Sequence, residues 1–420
     1  MNIWIVTIGE PLIHKGSNLR IHRSGLLAKY LSEIKNHDVV WWTSLFNHFT
    51  KKFEFQEEVD LKPNNNLTIK CLKGSGYKKN ISLARYYDHY LIQKKFRKKI
   101  KGAIKPDIII CSYPTLGLCE EALEFSLKHK IPIIIDYRDL WPEVFYDLFP
   151  RKFNFLAKII FSPFSLRLKR VLKNVTGIVG ITEKIMSTGL EKAQRKKNIF
   201  DSFYYLGYEK LNINQSTINK YVNKWKSHGM SKDDGFLKIC FFGTLGHQMD
   251  FITLISALNN LSNQKVKLII CGSGDKEDYL KDLSRNRNII FPGYMSALEL
   301  KSLMLLSDFG VCPHIPRQMY LDSIPGKAIE YMSEGLPIIT SLGNGELGKL
   351  IKQKNFGYSY NAFETESLTH LILDILTNKN LLTNKRDEII RFYSQTFDKS
   401  VVYKNYSNHI EKVQRNFNLT

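Results

Sequence analysis

Asp322 and Glu330 stand eight positions apart around a Ser323-Ile324-Pro325-Gly326-Lys327 turn, and Gly335-Leu336-Pro337 closes the segment. The spacing predicts a helix over residues 324–334 that opens at the Pro-Gly turn. A helix start favours anions, because its first N–H groups are unpaired and its dipole points outward. Carboxylates are poor partners for a phosphate. They fit if Asp322 and Glu330 bond the hydroxyls of a sugar and a ribose while backbone N–H groups and Lys327 take the phosphates. That combination is chemistry for a sugar nucleotide. The plainer alternative for Lys327 is an exposed lysine at a helix start.

Other glycines fall at predicted strand ends in the same half of the chain. Gly243 and Gly246, with His247 beside them, follow one apolar run; Gly272-Ser273-Gly274 follows the next; Gly293-Tyr294 follows a third. Glycine at a strand-to-helix turn lets backbone amides approach a pyrophosphate. A single such turn is equally plain turn chemistry, and His247 is equally a hydrogen-bond partner only. Three successive turns on one sheet edge strengthen the ligand reading. Glu346 is read as capping the helix that follows it, and Glu334 as facing solvent.

The first half holds its densest polar cluster at Asp136-Tyr137-Arg138-Asp139-Leu140-Trp141-Pro142-Glu143. Carboxylates bond sugar hydroxyls and a tryptophan offers an apolar platform to a sugar face. Asp139 is therefore a catalytic candidate, and Arg138 and Trp141 are acceptor candidates. A structural Arg138–Asp139 ion pair is the alternative, and Asp136 reads as structural. Tyr113 ends the neighbouring predicted strand and faces the same acceptor. Gly16 lies in a loop after the first strand that suits a clasp on the donor. Arg20 and Arg23 follow in the first turns of a predicted helix, where a cation opposes the dipole. An anion nearby would justify them; solvation is the alternative.

These residues need a sheet to hold them. Apolar runs at residues 3–8, 39–43, 67–71, 108–111, 131–136 and 177–181 alternate with helical patterns such as 19–34 and 116–128. The series restarts with strands at 236–242, 266–271, 289–291, 309–312 and 337–340 and helices at 249–261, 275–283, 297–305 and 324–334. Alternation of this kind predicts mostly parallel sheets covered on both faces. The chain of 420 residues is too long for one core. The expected organisation is α/β, with two doubly wound Rossmann-like domains facing a cleft. Residues 1–210 form an N-terminal acceptor-binding domain, 211–235 a connector and 236–390 a donor domain. Residues 391–420 return as a helix to the first domain.

Lysine and arginine number 61 against 40 acids, a net charge of +21. Such an excess points to a polyanionic partner or phosphorylated substrates, or to a lysine-rich proteome. The basic amphipathic stretch 153–173 reads either as a surface for an anionic membrane or as an ordinary core-packing helix. No window reaches the ~18 apolar residues of a spanning helix. The start reads as a strand, not as a signal peptide. Six scattered cysteines form no CxxC pair, so metal sites and disulfides are not expected. A reducing cytoplasm fits that pattern. No zinc finger or RNP motif supports a nucleic-acid partner.

The order Gly243, Gly246, Gly272-Ser273-Gly274, Gly293, Asp322-x7-Glu330 and Gly335-Leu336-Pro337 resembles the donor domain of retaining glycosyltransferases of family 4, with the GT-B fold. The resemblance spans nearly the whole second half. Ser323-Ile324-Pro325-Gly326-Lys327-x-x-Glu330-Tyr331-Met332 and Arg138-Asp139-Leu140-Trp141-Pro142 are similar to the subgroup that builds bacterial surface polysaccharides, the O-antigens and capsules. It implies that Glu330 bonds the ribose, that Asp322 approaches the donor sugar, and that Ser323, Ile324 and Pro325 turn over the phosphates. Family members usually carry Glu where Asp322 stands. Many also carry an Arg and a Lys near the first glycine turn, where this chain has Gly246-His247-Gln248-Met249. The charge must then come from Lys327, from His247 if protonated, from the helix dipole or from a first-domain residue.

The implied activity is transfer of a hexose or N-acetylhexosamine, with retention, from a nucleotide-diphosphate sugar, UDP-linked by preference, to a polyprenyl-linked saccharide. No cofactor and no metal are expected, since no Asp-x-Asp box ends a strand. Peripheral attachment to the inner face of the plasma membrane follows from the same reading. The competing reading within the fold is a sugar-nucleotide epimerase. A donor sensor without transfer and a nucleic-acid-binding protein are more distant alternatives.

Overall fold

The computed structural model describes residues 1–14, 20–148, 154–378 and 382–417. The chain divides into two compact units, Met1–Gly207 with Lys399–Thr420, and Tyr208–Asp398.

Apart from a short antiparallel pair, Phe46–Asn47 with Lys52–Phe53, the strands of the first unit are β1 (Asn2–Val6), β2 (Asp38–Ser44), β3 (Val59–Asn64), β4 (Leu67–Leu72), β5 (Ile108–Tyr113), β6 (Ile133–Tyr137), β7 (Gly177–Gly180) and β8 (Ser202–Phe203). They form one sheet in the order β8-β7-β6-β5-β1-β2-β4-β3. Its pairs are parallel except β3 with β4. The central strands are buried along nearly their whole length, which is why they read as unbroken apolar runs. The edge strand β3 carries Lys62 and Pro63. Those residues suit an exposed edge and hide the strand from a periodicity reading. The helices of this half are α1 (Arg23–Lys29), α2 (Leu83–Ile100), α3 (Leu116–His129), α4 (Asn154–Ile160), α5 (Ser162–Asn174) and α6 (Glu183–Ala193). The helix expected over 19–34 starts at Arg23 and continues past Lys29 as a π-helical turn, Tyr30–Ile34.

The second unit carries α7 (Gln215–Lys224), β9 (Leu237–Phe242), α8 (Phe251–Asn260), β10 (Val266–Cys271), α9 (Glu277–Leu283), β11 (Ile289–Gly293), α10 (Ala297–Leu306) and β12 (Phe309–Cys312). It continues with α11 (Gln318–Leu321), α12 (Gly326–Ser333), β13 (Ile338–Thr340), α13 (Glu346–Lys354), β14 (Gly357–Ser359), α14 (Thr365–Thr377) and α15 (Arg386–Thr396). The sheet order is β11-β10-β9-β12-β13-β14, all parallel. This is the doubly wound order, and its direction reverses between β9 and β12. The carboxyl ends of those two strands flank the crevice where such sheets take ligands.

Residues 211–235, expected as a connector, belong to this unit. Asn214 caps α7 by accepting from the Thr217 N–H, 2.9 Å. Trp225 is buried and its indole donates to Ser302 on α10, 2.9 Å. The final helix, α16 (Lys399–Phe417), belongs to the first unit. Tyr403, Tyr406, Ile410 and Val413 lie in the same apolar core as Leu27 and Leu31. The helical stretch after residue 385 is thus two helices, and the second alone joins the first unit.

Candidate functional site

The second unit brings Gly243, Lys327 and Glu330 to the reversal of its sheet. Tyr331 fixes the helix that carries two of them. Its ring is fully buried against Gly310 of β12, where a Cβ would meet ring Cγ at 2.4 Å. Its hydroxyl donates to the Cys240 carbonyl of β9 at 3.1 Å. Glycine in β12 thus admits α12 onto the strands, and the tyrosine locks its register. Glu334, expected in solvent, is buried at the far end and pairs with Lys301 of α10 at 2.6 Å. It clamps α12 where its sequence looks solvated.

Lys327 reaches back over the sheet edge. Its ammonium sits 4.7 Å from the Phe241 ring centroid and 3.1 Å from the place a Gly243 Cβ would take. Gly243 has φ +136, a conformation that side chains rarely adopt. Burial pulls the Lys327 pKa below its ordinary value, against the pull of Cys312 and Glu330. Among the described residues no carboxylate stands at ion-pair distance from it. At the start of α12 no side chain caps the helix, and open space surrounds Gly326. A half-buried cation, uncapped N–H groups and an open approach make an anion cradle.

The acids and the turn lie around this cradle. Glu330 is half-buried on α12. Asp322 is buried at the end of α11 and accepts from the Gln318 amide, 2.8 Å. Ser323 donates to the Met319 carbonyl, 2.7 Å, Ile324 is buried, and Pro325 precedes the first turn of α12. The turn is therefore braced from within.

The remaining glycines differ in purpose. A Cβ on Gly272 would meet the Gly243 carbonyl at 1.9 Å, and one on Gly274 the Leu245 carbonyl at 2.3 Å. At these two positions neighbouring turns interlock, which by itself requires glycine. At Gly246 the crowding atom is Gln248 Oε1, 2.6 Å away. Gly293, φ +82, has open space around it, and Tyr294 beside it is 83% exposed. His247 is exposed and paired with Asp275 at 2.9 Å. Gly16 lies outside the described residues.

In the first unit the structure separates the expected acceptor residues into two groups. Arg23 is buried and pairs with Asp136 at 3.0 Å, while its guanidinium donates to the Tyr204 and Tyr205 carbonyls, each 2.8 Å. Arg138 pairs with the same Asp136 at 2.7 Å and with Glu10. Glu10 in turn accepts from the Ser24 N–H at 2.9 Å and so supplies the missing cap of α1. Two guanidiniums and two carboxylates balance one another. Burial works against the Asp136 charge, but Arg138 and Arg23 outweigh it and hold its pKa below the usual carboxylate range. Arg23 and Arg138 are thus a structural network and not acceptor contacts, because their charges are already met. Arg138 pairs with Asp136, not Asp139. Tyr113 is fully buried and donates to the Trp141 carbonyl, 2.6 Å, which likewise removes it from the acceptor surface.

Asp139 and Trp141 form the second group. The Asp139 carboxylate accepts from the Leu140 N–H, 2.9 Å, and from the Trp141 indole. Burial raises its pKa, with those bonds and Arg85 opposing. The Trp141 peptide to Pro142 is cis. Arg20 is exposed before α1.

His314 went unnoticed in the sequence. It follows β12 on the other side of the sheet reversal, is buried, and packs its ring against Tyr320 with the centroids 5.1 Å apart and the planes tilted by 49°. Its Nδ1 has no hydrogen-bond partner among the described residues. Burial, with Lys327 nearby, pushes its pKa down to about 3, so the ring is neutral. The signal was present: it ends a strand, as Gly243 does.

Residues 224–392 match the family model of glycosyl transferases group 1. An uncharacterized glycosyltransferase of Methanocaldococcus jannaschii is 32% identical over 149 residues, covering 34% of this chain and 36% of that protein. The match thus spans little more than a third of that relative. Among solved structures, sucrose-phosphate synthase from Thermosynechococcus elongatus aligns with a TM-score of 0.72 at 14% identity, over 98% of each chain. Anabaena HepE in complex with UDP-glucose aligns at 0.63 and 13% identity, over 98% of this chain and 100% of that one. A UDP-forming trehalose-phosphate synthase from Burkholderia xenovorans aligns at 0.65 and 14% identity, over 98% and 99%. At these identities the likeness establishes the fold, an α/β GT-B-like pair of Rossmann-like domains.

Proposed function

We propose that this chain, whose residues 224–392 match glycosyl transferases group 1, is a retaining, family 4 glycosyltransferase that uses a nucleotide-diphosphate sugar. The observation that carries the reading is the Lys327 ammonium beside Gly243 at the sheet reversal, with the uncapped start of α12 next to it. The diphosphate lies on those groups. Glu330 bonds the ribose, Asp322 the sugar, and the exposed Tyr294 offers a ring to the base. His314 Nδ1 receives a polar partner from the donor. The donor is UDP-linked and carries a hexose or N-acetylhexosamine.

As the glycosidic bond breaks, charge grows on the diphosphate. Lys327 and the helix N–H groups stabilise it, the contribution that usually dominates. These groups supply the positive charge themselves, so the reaction is metal-independent and cofactor-free. The departing phosphate takes the acceptor's proton on the face that retains configuration, and Asp139 is the acceptor-side candidate. Trp141 supports the acceptor, and Arg20 adds positive charge near it. The acceptor is a polyprenyl-linked saccharide in the synthesis of a bacterial surface polysaccharide, met at the inner membrane face by a peripheral enzyme. Among the described residues no helix is long and apolar enough to cross a membrane.

The test is a transfer assay with UDP-sugars and a lipid-linked acceptor, comparing the wild type with Glu330→Ala. The variant is expected to lose transfer while keeping its melting temperature, and the wild-type product to keep the donor's anomeric configuration. Full turnover by the variant, or an inverted product, contradicts the assignment.

A further inference from the structure

The first unit holds a cation pair that the donor chemistry does not use. Arg85, in the first turn of α2, lies with its guanidinium carbon 5.0 Å from the Trp141 ring centroid and 5.6 Å from that of Tyr77. The Lys51 ammonium sits over the same Tyr77 ring at 4.9 Å. Asn80 ties the two together: its carbonyl accepts from Arg85 at 2.9 Å and its side chain accepts from Lys51. Both cations lie around the Tyr77 ring and the Arg85 charge opposes that of Lys51, so an anion shared by the two relieves the repulsion. Among the described residues neither cation has a carboxylate at ion-pair distance. Asp88, the nearest acid on α2, is engaged by the Gly76 N–H at 2.7 Å. Asp139 is engaged by Leu140 and Trp141. Arg85 Nε is buried without a hydrogen-bond partner among the described residues. Burial and the Arg85 charge pull the Lys51 pKa down, and His48 is held neutral for the same reasons together with Lys51.

Beside this pair opens an apolar cavity of about 560 Å³, lined by Leu83, Tyr86, Trp141, Phe145, Ile160 and Phe164 among others. That volume suits a small-molecule site. Its rim is unusually apolar for a surface. Leu83 is 88% exposed and Ile160 60%. On α4 and α5, Phe155, Ile159 and Leu166 continue the patch beyond the cavity. Single exposed apolar residues need no explanation, but a contiguous group next to a cavity does. Basic residues interleave with it: Lys158, and Arg167, whose charge is met by Glu120 at 2.7 Å.

Two cations without a carboxylate at ion-pair distance among the described residues, one of them (Arg85) lining an apolar cavity, match one class of molecule: an anion with a long apolar tail. We propose that Lys51 and Arg85 bind the phosphate of an isoprenoid-type lipid and that the cavity between α2, Trp141 and α5 takes the first part of its tail. The inference rests on the acceptor reading above and locates it. Trp141, which bonds Asp139, forms a wall of the cavity, so the lipid phosphate places the acceptor's sugar near Asp139.

The test is calorimetric binding of farnesyl diphosphate, below its micelle concentration, to the full chain. The controls are inorganic pyrophosphate, farnesol and phosphatidylglycerol vesicles. Farnesyl diphosphate is expected to bind at least about tenfold more tightly than pyrophosphate or farnesol. Lys51→Gln, Arg85→Gln and the surface change Leu83→Asp should each weaken it severalfold without lowering the melting temperature. Equal binding of pyrophosphate reduces the site to a phosphate pocket. Equal binding of farnesol, or displacement by the vesicles, reduces it to a general apolar face. Each of these results overturns the proposal, as do variants that bind like the wild type. UDP titrated into the same samples separates the two readings. Farnesyl diphosphate binding without UDP binding removes the donor assignment alone; UDP binding without farnesyl diphosphate removes the lipid site alone.

Discussion

Lys327 occupies the space that a side chain at Gly243 would need: its Nζ lies 3.1 Å from the Cβ position. The two residues are far apart in sequence, and the fold joins them at the reversal of strand order. Gly243→Ala is therefore expected to act at a distance. A methyl group displaces the ammonium, and φ +136 adds backbone strain. UDP affinity should fall about tenfold, roughly 1.4 kcal/mol. Calorimetry checks it; an unchanged Kd separates Lys327 from the diphosphate.

Lys327→Met keeps the apolar stem over Phe241 and removes the charge. A charge-assisted hydrogen bond contributes about 1.5–3 kcal/mol, so a loss of one to two orders of magnitude in UDP affinity is expected. The pH dependence has a definite sign. A diphosphate held by Lys327 requires the protonated lysine, whose pKa burial has lowered. Wild-type affinity should decline as pH rises through that lowered value, and the Met variant should show no such decline. Titrations across the alkaline range read both.

His314→Phe separates a ligand contact from a stabilising one. Among the described residues Nδ1 is buried without a partner, which offsets the loss of the ring's bond to the Cys312 backbone, so the melting temperature should change little. If the donor supplies the missing partner, affinity for the UDP-sugar falls in the same variant. A lowered melting temperature with unaltered affinity contradicts that role.

Arg23→Ala tests the structural network of the first unit. Leaving Asp136 buried beside one guanidinium fewer should cost about 3–5 kcal/mol. Asp136 has a pKa depressed below its unfolded value. Its contribution is therefore complete above the ordinary aspartate range and is lost as pH falls through the lowered folded value. Chemical denaturation at neutral and acid pH should show the wild type losing stability more steeply than the variant. UDP affinity should not change.

Much of this was legible beforehand. Strands such as residues 108–111 and 266–271 announce themselves because parallel strands are buried on both faces and read as unbroken apolar runs. The edge strand Val59–Asn64 does not, because Lys62 and Pro63 suit its exposed position. The turn at Asp322–Glu330 was legible from residue types at fixed spacing. The partners of buried charges were not. Arg23 resembled an anion-binding arginine because its partner Asp136 lies 113 positions away. Glu334 looked solvated because Lys301 is on another helix. Sequence shows a charge but not what neutralises it across the fold.

The most direct test of the donor site is a crystal structure of the chain with UDP. The diphosphate is expected at the start of α12, with a phosphate oxygen on Lys327 Nζ and the ribose on Glu330. UDP bound elsewhere, with that helix start empty, contradicts the assignment.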